Sequence, residues 1–361
     1  MDPPDDQYSL LQELLNMINE STYDPSYVQS ETVKLCPKLL VNDFGSDFNP
    51  PFYYFNFLLS YLGNGLVLYI IFKYEKLNTV TNIFLLNLVL SNILFASSLP
   101  FWATYFLSQW VFGSVLCKMV SSAYFIGFYS SILFLTLMTF DRYLAVVHAV
   151  SAAKSRKRSY ALVSSAVVWC VSILASLKEL VFQNVWDNPP YGLVCEETGY
   201  SRETMDFWRL VSYYQQFSVF FLLPLLMVTY CYVSITLRIM STRMKEKCRA
   251  VKLIFIIIFT FFVCWTPYNV VILLQAVHSS GEEKDCDDSN TLDYAMFVTR
   301  NVANLYCCIS PVFYTFVGKK FQSHFRRILV KKLPCLRRRL SLSSFSTRSS
   351  SQKTPHSEYE C

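Results

Sequence analysis

Long stretches without charge alternate with short polar segments along this chain. The windows that lack Lys, Arg, Asp and Glu are 48–72, 77–117, 119–140, 159–177, 210–237, 253–281 and 294–318, the last interrupted by Arg300. About 20 apolar residues suffice for a helix to cross the hydrocarbon core of a bilayer. In lipid the backbone of such a segment must bond to itself, which a helix achieves. The pattern predicts an all-α integral membrane protein with seven spans, numbered here in chain order.

The charges between these windows are sorted by sign. Lys and Arg are concentrated after spans one, three, five and seven, whereas residues 1–49 hold nine Asp or Glu against two Lys. Because loops rich in Lys and Arg remain in the cytosol, the N-terminus is predicted to be extracellular and the C-terminus cytosolic. The predicted regions are an acidic extracellular tail (1–47), the seven-helix bundle (48–318), an amphipathic membrane-surface helix (319–334) and a Ser-rich cytosolic tail (335–361).

Composition and side-chain chemistry argue against most other classes of protein. Of the 361 residues, 53% are hydrophobic and 16% are charged, against about a quarter charged in soluble domains. The four His residues do not cluster, and neither a metal-ligand spacing nor a nucleophile motif is apparent. We therefore expect no enzyme activity, cofactor, metal or nucleic-acid partner. A transporter is disfavoured because the spans hold few charges and the second half does not echo the first.

The cysteines fit the predicted topology. Of twelve, four are predicted to be extracellular: Cys36, Cys117, Cys195 and Cys286. An even number in an oxidising compartment suggests two disulfides, and sequence alone allows three connectivities. The glycosylation acceptor Asn19-Glu20-Ser21 also falls in the extracellular tail.

The inner end of span three carries the most specific motif. Asp141, Arg142 and Tyr143 open the segment DRYLAVVHAV after a long uncharged window. A stop-transfer pair of charges is the simpler explanation, but the order of residues is more specific than that. Here the chain resembles the rhodopsin-like (class A) G-protein-coupled receptors, and within them the chemokine receptors. The supporting landmarks are Gly63–Asn64, SLP and FW (98–102), WVFG (110–113), Cys117, Trp169, Pro224, Tyr232, CWTP (264–267) and SPVFY (310–314).

This resemblance implies a mechanism of activation. Asp141 would hold Arg142 at rest, and Arg142 would turn toward the G protein on activation. Trp265 would act as an aromatic switch beneath the ligand cavity. The hinge prolines would be Pro267 and Pro311, and the tyrosines that close around Arg142 would be Tyr232 and Tyr314. The family also implies the disulfides Cys117–Cys195 and Cys36–Cys286.

Arg300 is the most informative single charge. A charged residue inside a span is by default a candidate functional site, although an Arg can also snorkel to the headgroups. Many chemokine receptors have Glu at this position. An Arg here, together with KYEKLNTVTNIFLLNL (73–88), KLIFIIIFTFF (252–262) and YTFVGKKF (314–321), resembles the XC-type (lymphotactin) branch. The resemblance places Tyr53, Trp102, Tyr124, Tyr268 and Arg300 in one pocket that selects an anionic or hydrogen-bond-accepting ligand end.

The two tails carry further candidate sites. Tyr8 and Tyr23 lie beside Asp residues and suit sulfation, and the acidic tail would steer a basic chemokine by long-range attraction. A merely solubilising tail is the alternative for these tyrosines. Cys335 follows the amphipathic segment 319–333 and suits palmitoylation, with an unmodified thiol as the alternative. Receptor kinases and arrestin are the expected partners of the Ser-rich tail.

Three positions depart from the family. Asn92 replaces the usual Asp of span two, Ser310 replaces the Asn of the span-seven motif, and Lys178 stands where relatives tend to have Pro. Without a carboxylate at position 92, we expect little effect of sodium on agonist affinity. The function expected is a chemokine receptor that activates an inhibitory-type G protein and supports calcium mobilisation and chemotaxis. The alternative is an atypical receptor that internalises its ligand without G-protein signalling.

Overall fold

The computed structural model describes residues 39–75, 77, 79–189, 192–242, 245–280, 286–317 and 323–324. Helices dominate this part of the chain. They are α1 (Leu39–Tyr74), α2 (Val80–Leu107), α3 (Gly113–Val147), α4 (Ala149–Ser155), α5 (Arg158–Ala175), α6 (Leu177–Phe182), α7 (Arg202–Phe217), α8 (Leu223–Thr242), α9 (Lys245–Ser280) and α10 (Cys286–Val317). A π-helical turn, Ser218–Leu222, joins α7 to α8, and the strands β1 (Gln183–Asp187) and β2 (Leu193–Glu197) form a hairpin.

These elements form a bundle of seven membrane spans. Spans one, two, three, four, six and seven are α1, α2, α3, α5, α9 and α10, and span five is α7 with α8. Six spans are long and apolar enough to cross a bilayer by length and composition. The seventh, α10, is a continuous helix of 32 residues that carries Asp287, Asp288, Asp293 and Arg300. The predicted seven-helix architecture is confirmed.

Span one begins before its uncharged window does. Helix α1 starts at Leu39 and includes Asp43 and Asp47, both exposed to solvent. Its inward face packs against span seven, where the Asn301 amide donates to Asn49 Oδ1 at 2.6 Å. The charge-free window therefore marks only the apolar part of the helix. Packing against span seven extends the helix beyond that window toward the N-terminus.

Spans two and three pack closely at Gly127. A Cβ added at this position would lie 2.5 Å from the backbone nitrogen of Phe95. Real Cβ atoms do not come so close, and the obstacle is backbone that cannot rotate away. The glycine therefore sets the distance between the two helices that carry much of the buried core.

Gly127→Ala is expected to destabilise the protein by about 2 kcal/mol or more, since overpacking at a helix contact forces the backbones apart. The measurement is thermal unfolding of the detergent-solubilised protein, together with its amount at the cell surface. Gly65→Ala is the matched control, because a Cβ there meets nothing within 4 Å. Equal stability of the two variants would contradict the close approach.

The extracellular hairpin is tied to the bundle at its second strand. Val185 of β1 pairs with Cys195 of β2, and Cys195 forms a disulfide with Cys117 at the outer end of span three. The Trp110 backbone N–H donates to the Leu193 carbonyl at 2.7 Å, which anchors the strand to the loop after span two. The predicted Cys117–Cys195 disulfide is present, and it holds the hairpin over the outer face of the bundle.

Candidate functional site

A cavity of about 300 Å³ opens between the spans beneath the hairpin. The five residues expected to share a pocket all line it: Tyr53, Trp102, Tyr124, Tyr268 and Arg300. They come from spans one, two, three, six and seven, so the cavity depends on the assembly of the whole bundle. Its lining combines aromatic side chains with charged side chains of both signs.

Arg300 faces this cavity and is not a headgroup anchor. Its guanidinium carbon lies 6.0 Å from the centroid of the Tyr268 ring, and Tyr53 is its side-chain hydrogen-bond partner. The Nε atom is buried and has no hydrogen-bond partner. Among the described residues, no salt bridge includes Arg300. A half-buried cation held by aromatic rings and one hydroxyl can donate hydrogen bonds to an anionic or carbonyl oxygen of a ligand.

Charged residues after span four form a second part of the cavity wall. Lys178 Nζ lies 2.5 Å from Glu197 Oε1 and donates to Ser212 Oγ at 2.8 Å. Arg209 reaches Glu197 at 3.4 Å. The structure thus accounts for Lys178: it ties the end of span four to strand β2 and to span five.

Glu179 is the buried carboxylate of this group. It is 5% exposed, accepts a hydrogen bond from Gln183 at 3.0 Å, and lies 3.6 Å from Lys178 Nζ. Burial raises the pKa of Glu179, and the neighbouring Lys178 offsets part of that rise. Two features of the sequence could have indicated this wall. A Lys-Glu pair directly follows an uncharged window, and Glu196-Glu197 directly follows a disulfide cysteine.

The predicted switch residue lies below the cavity. Trp265 is 2% exposed and its ring stacks on Phe128 with centroids 4.3 Å apart. Tyr268, one turn above it, meets it edge-on at 5.9 Å. The Trp265 Nε1 atom is buried without a hydrogen-bond partner. A change at Tyr268 can therefore reach span three through direct ring contact. Pro267 lies within helix α9 beside these rings.

Asn92 sits in a buried polar network between spans one, two and three. Its Nδ2 donates to Asn64 Oδ1 at 3.2 Å, and its Oδ1 accepts from Ser131 at 2.9 Å. All three side chains are buried and neutral. Amide and hydroxyl groups here bond to each other, so the network holds its shape without a carboxylate.

At the cytosolic end, the carboxylate of Asp141 is held by a residue that the sequence analysis did not single out. Arg156 donates to both carboxylate oxygens of Asp141 at 2.7 Å, and Asp141 is 1% exposed. Arg142 donates to Thr81 Oγ1 of span two at 2.8 Å. Consecutive residues of a helix point in different directions, which separates the partners of Asp141 and Arg142.

Tyr143 is positioned by two other residues. Its hydroxyl lies 3.0 Å from His148 Nε2 and 3.4 Å from the hydroxyl of Tyr230 in span five. Tyr232 is partly buried and packs against the cluster that contains Tyr143. Loop residues Arg156 and His148 thus each contact one member of the Asp-Arg-Tyr motif.

Several predicted sites lie outside the described residues. These are Tyr8, Asn19, Tyr23, Cys36 and Cys335. Cys286, Pro311 and Tyr314 belong to helix α10, but their side chains are not described. The Cys36–Cys286 disulfide therefore stays a prediction, as do the sulfation, glycosylation and palmitoylation sites.

Comparison with known proteins places the chain in a family. Residues 63–314 match the model of the "7 transmembrane receptor (rhodopsin family)". Mouse "Probable C-C chemokine receptor type 3" is 38% identical over 306 residues, which are 84% of this chain and 85% of that protein. Human "C-C chemokine receptor type 4" is 37% identical over 307 residues, 85% and 84% of the two chains.

The chain therefore belongs to the rhodopsin family of seven-transmembrane receptors, and within it to the chemokine receptors. It is a multi-pass protein of the plasma membrane. Chemokine receptors are a family of non-enzymatic receptors, which agrees with the expectation from side-chain chemistry.

Proposed function

We propose that the protein is a signalling receptor for a small basic chemokine and that it activates an inhibitory-type heterotrimeric G protein, with calcium mobilisation and chemotaxis as its cellular outputs. The observation that supports this most is the pairing of an outward-opening cavity around Arg300 with an intact Asp141-Arg142-Tyr143 motif at the cytosolic end. The experiment that tests it is inhibition of cAMP synthesis in transfected cells by a chemokine panel, with and without pertussis toxin.

Binding would proceed in two stages. The acidic extracellular tail, with Tyr8 and Tyr23, attracts the basic chemokine by long-range electrostatics, which salt screens. The N-terminal end of the chemokine then enters the cavity and meets Arg300, Tyr268 and Tyr53. Because Tyr268 contacts Trp265 directly, a ligand that favours one arrangement of these rings biases the two-state bundle.

Asp141 and Arg156 would hold the cytosolic side in its resting arrangement. Arg156→Gln is expected to raise ligand-independent G-protein activity about threefold or more, because a bidentate charge-assisted pair to a buried carboxylate is lost. The measurement is basal nucleotide exchange at matched surface expression. Arg158→Gln is the control, since Arg158 is exposed at the start of span four. If basal nucleotide exchange is unchanged in Arg156→Gln, then Arg156 does not stabilise the resting arrangement.

The neutral network at Asn92 predicts insensitivity to sodium. In Asn92→Asp, 100 mM sodium is expected to lower agonist affinity about fivefold or more relative to the same concentration of a large organic cation, since a carboxylate gives the ion a hard anionic ligand. In the unchanged receptor the two salts should give equal affinity. Agonist competition binding in the two salts measures both, and a sodium effect already present with Asn92 would contradict this view.

A second candidate function is an atypical receptor that takes up its chemokine without activating a G protein. The neutral residue at Asn92, and Ser310 in the span-seven motif, favour it. The intact motif at Asp141, Arg142 and Tyr143 favours signalling. In either case the Ser-rich tail is the proposed binding site of receptor kinases and arrestin.

A further inference from the structure

We propose that Ser159 is a phosphorylation site and that the ion pair between Asp141 and Arg156 controls its use by a kinase. Ser159 directly follows the basic run 156–158, Arg-Lys-Arg, which suits a Ser/Thr kinase that recognises cations before its target. The Ser159 side chain is exposed at the cytosolic start of helix α5. This inference rests on the geometry of the loop and does not depend on the proposed function.

The backbone around Ser159 suits the extended form in which protein kinases bind their substrates. Lys157 has extended backbone angles, φ −92° and ψ 162°, and helix α5 begins only at Arg158. The first helical hydrogen bond, from the Ala161 N–H to the Lys157 carbonyl, is 3.4 Å long, beyond the usual range for such bonds. Lys157, the N-cap residue, does not cap this turn through its side chain. The turn that carries Ser159 can therefore open at small cost.

Arg156, three positions before Ser159, is engaged inside the protein. Its Nε and Nη2 atoms donate to the two carboxylate oxygens of Asp141 at 2.7 Å. The carboxylate is 1% exposed, and the Arg156 side chain is 26% exposed. A kinase recognises an Arg through carboxylates of its own, which need the same planar fork. Because Arg156 is turned toward a buried partner, its recognition requires the Asp141–Arg156 pair to open first.

The fraction of molecules with an open pair therefore sets the rate of phosphorylation at Ser159. A partner that binds only a minor conformation binds more weakly in proportion to the population of that conformation. Opening leaves the Asp141 carboxylate buried without its cation, which is costly, so the closed pair dominates in the unchanged receptor. Asp141→Asn removes the charge that holds Arg156 and frees the guanidinium for the kinase.

The phosphoryl transfer needs Mg-ATP as its co-reactant. The Ser159 Oγ forms a bond to the γ-phosphorus while the bond from that phosphorus to the β–γ bridging oxygen breaks. ADP leaves, and the hydroxyl proton passes to the catalytic Asp of the kinase. The product carries about two negative charges at the start of helix α5, where the helix dipole stabilises an anion. An opening of the Asp141–Arg156 pair is thereby recorded as a covalent mark.

The experiment is phosphorylation of the purified receptor by the catalytic subunit of cAMP-dependent protein kinase, with the phosphate at each serine followed by mass spectrometry. Ser341 is the internal reference: it lies two residues after the run Arg337–Arg339, which takes no part in the bonds to Asp141. Asp141→Asn is expected to raise the rate at Ser159 relative to Ser341 about fivefold or more. Adding Arg156→Gln to that variant should abolish the rise, because the recognised cation is lost.

Gly127→Ala is the control for a general loosening of the bundle, since it disturbs a helix contact that does not include Asp141 or Arg156. It should leave the ratio of the two rates unchanged. If Asp141→Asn does not fold, Asp141→Ser takes its place with the same expectation. Three results would each overturn the inference: no phosphate at Ser159 in the Asp141 variant, the same ratio in that variant and in the unchanged receptor, or an equal rise in Gly127→Ala.

Discussion

Arg300→Ala is expected to weaken chemokine potency about 30-fold or more. Truncating one partner of a buried charged hydrogen bond costs about 2–5 kcal/mol, and each 1.4 kcal/mol is tenfold in affinity. Arg300 has no salt-bridge partner among the described residues, and its Nε is unpartnered. Within the receptor the guanidinium contacts Tyr53 and the Tyr268 ring, so the variants are compared at matched surface expression, and the remaining loss of potency reports the contact with the ligand.

The measurement for Arg300 is competition binding together with agonist-stimulated nucleotide exchange. Arg300→Lys keeps the charge but not the planar fork, so it should recover part of the potency. Lys118→Ala is the matched control, because Lys118 lies at the outer end of span three but not on the cavity wall. Potency within about threefold of the unchanged receptor for Arg300→Ala, a change smaller than 1 kcal/mol, would show that Arg300 does not contact the ligand.

Arg142→Ala is expected to abolish G-protein activation while leaving chemokine affinity within about threefold. The residue lies at the cytosolic end of span three, where it donates to Thr81. Phe125, the cavity-lining residue nearest to it along this helix, is separated from it by about 25 Å at 1.5 Å per residue. The proposed role requires its guanidinium to leave Thr81 and contact the G protein. No neutral side chain can replace that cation.

The test for Arg142 uses purified receptor and inhibitory-type G protein, with nucleotide exchange as the readout. Thr81→Ala removes the resting contact and keeps the cation, so it should retain agonist-stimulated exchange and raise basal exchange. Agonist-stimulated exchange by Arg142→Ala at half the normal rate or above would rule out the proposed role.

The sequence was sufficient to predict the seven spans, because each window is long enough for a helix to cross the bilayer and satisfy its own backbone there. The ends of the helices were harder to predict from the sequence. Asp43 and Asp47 lie on the exposed side of α1, so charge no longer marks a boundary there. The hairpin 183–197 carries no strong apolar alternation, and its position depends on the Cys117–Cys195 disulfide and on Trp110.

The site was predictable where a family motif marked it. Family resemblance led to Tyr53, Trp102, Tyr124, Tyr268 and Arg300, and the structure places all five around one cavity. The wall that follows span four was not predicted, because a charged pair at the end of an apolar window is usually a membrane boundary. Only the fold brings Lys178 and Glu179 beside strand β2 and span five.

The cytosolic motif shows the same limit. The order Asp-Arg-Tyr suggests that neighbours in sequence are partners in space. In the structure both oxygens of Asp141 bond to Arg156, which reaches back from the segment after helix α4. A loop Arg among several Lys and Arg carries no sequence signal for that role.

Coupling of the cavity to an inhibitory-type G protein is tested by inhibition of cAMP synthesis in transfected cells. A chemokine panel is applied with and without pertussis toxin, and ligand uptake is recorded in the same cells. We expect a toxin-sensitive response to a chemokine, lost in Arg142→Ala while uptake persists. Uptake without any toxin-sensitive response in the unchanged receptor would identify a scavenging receptor instead of a signalling one.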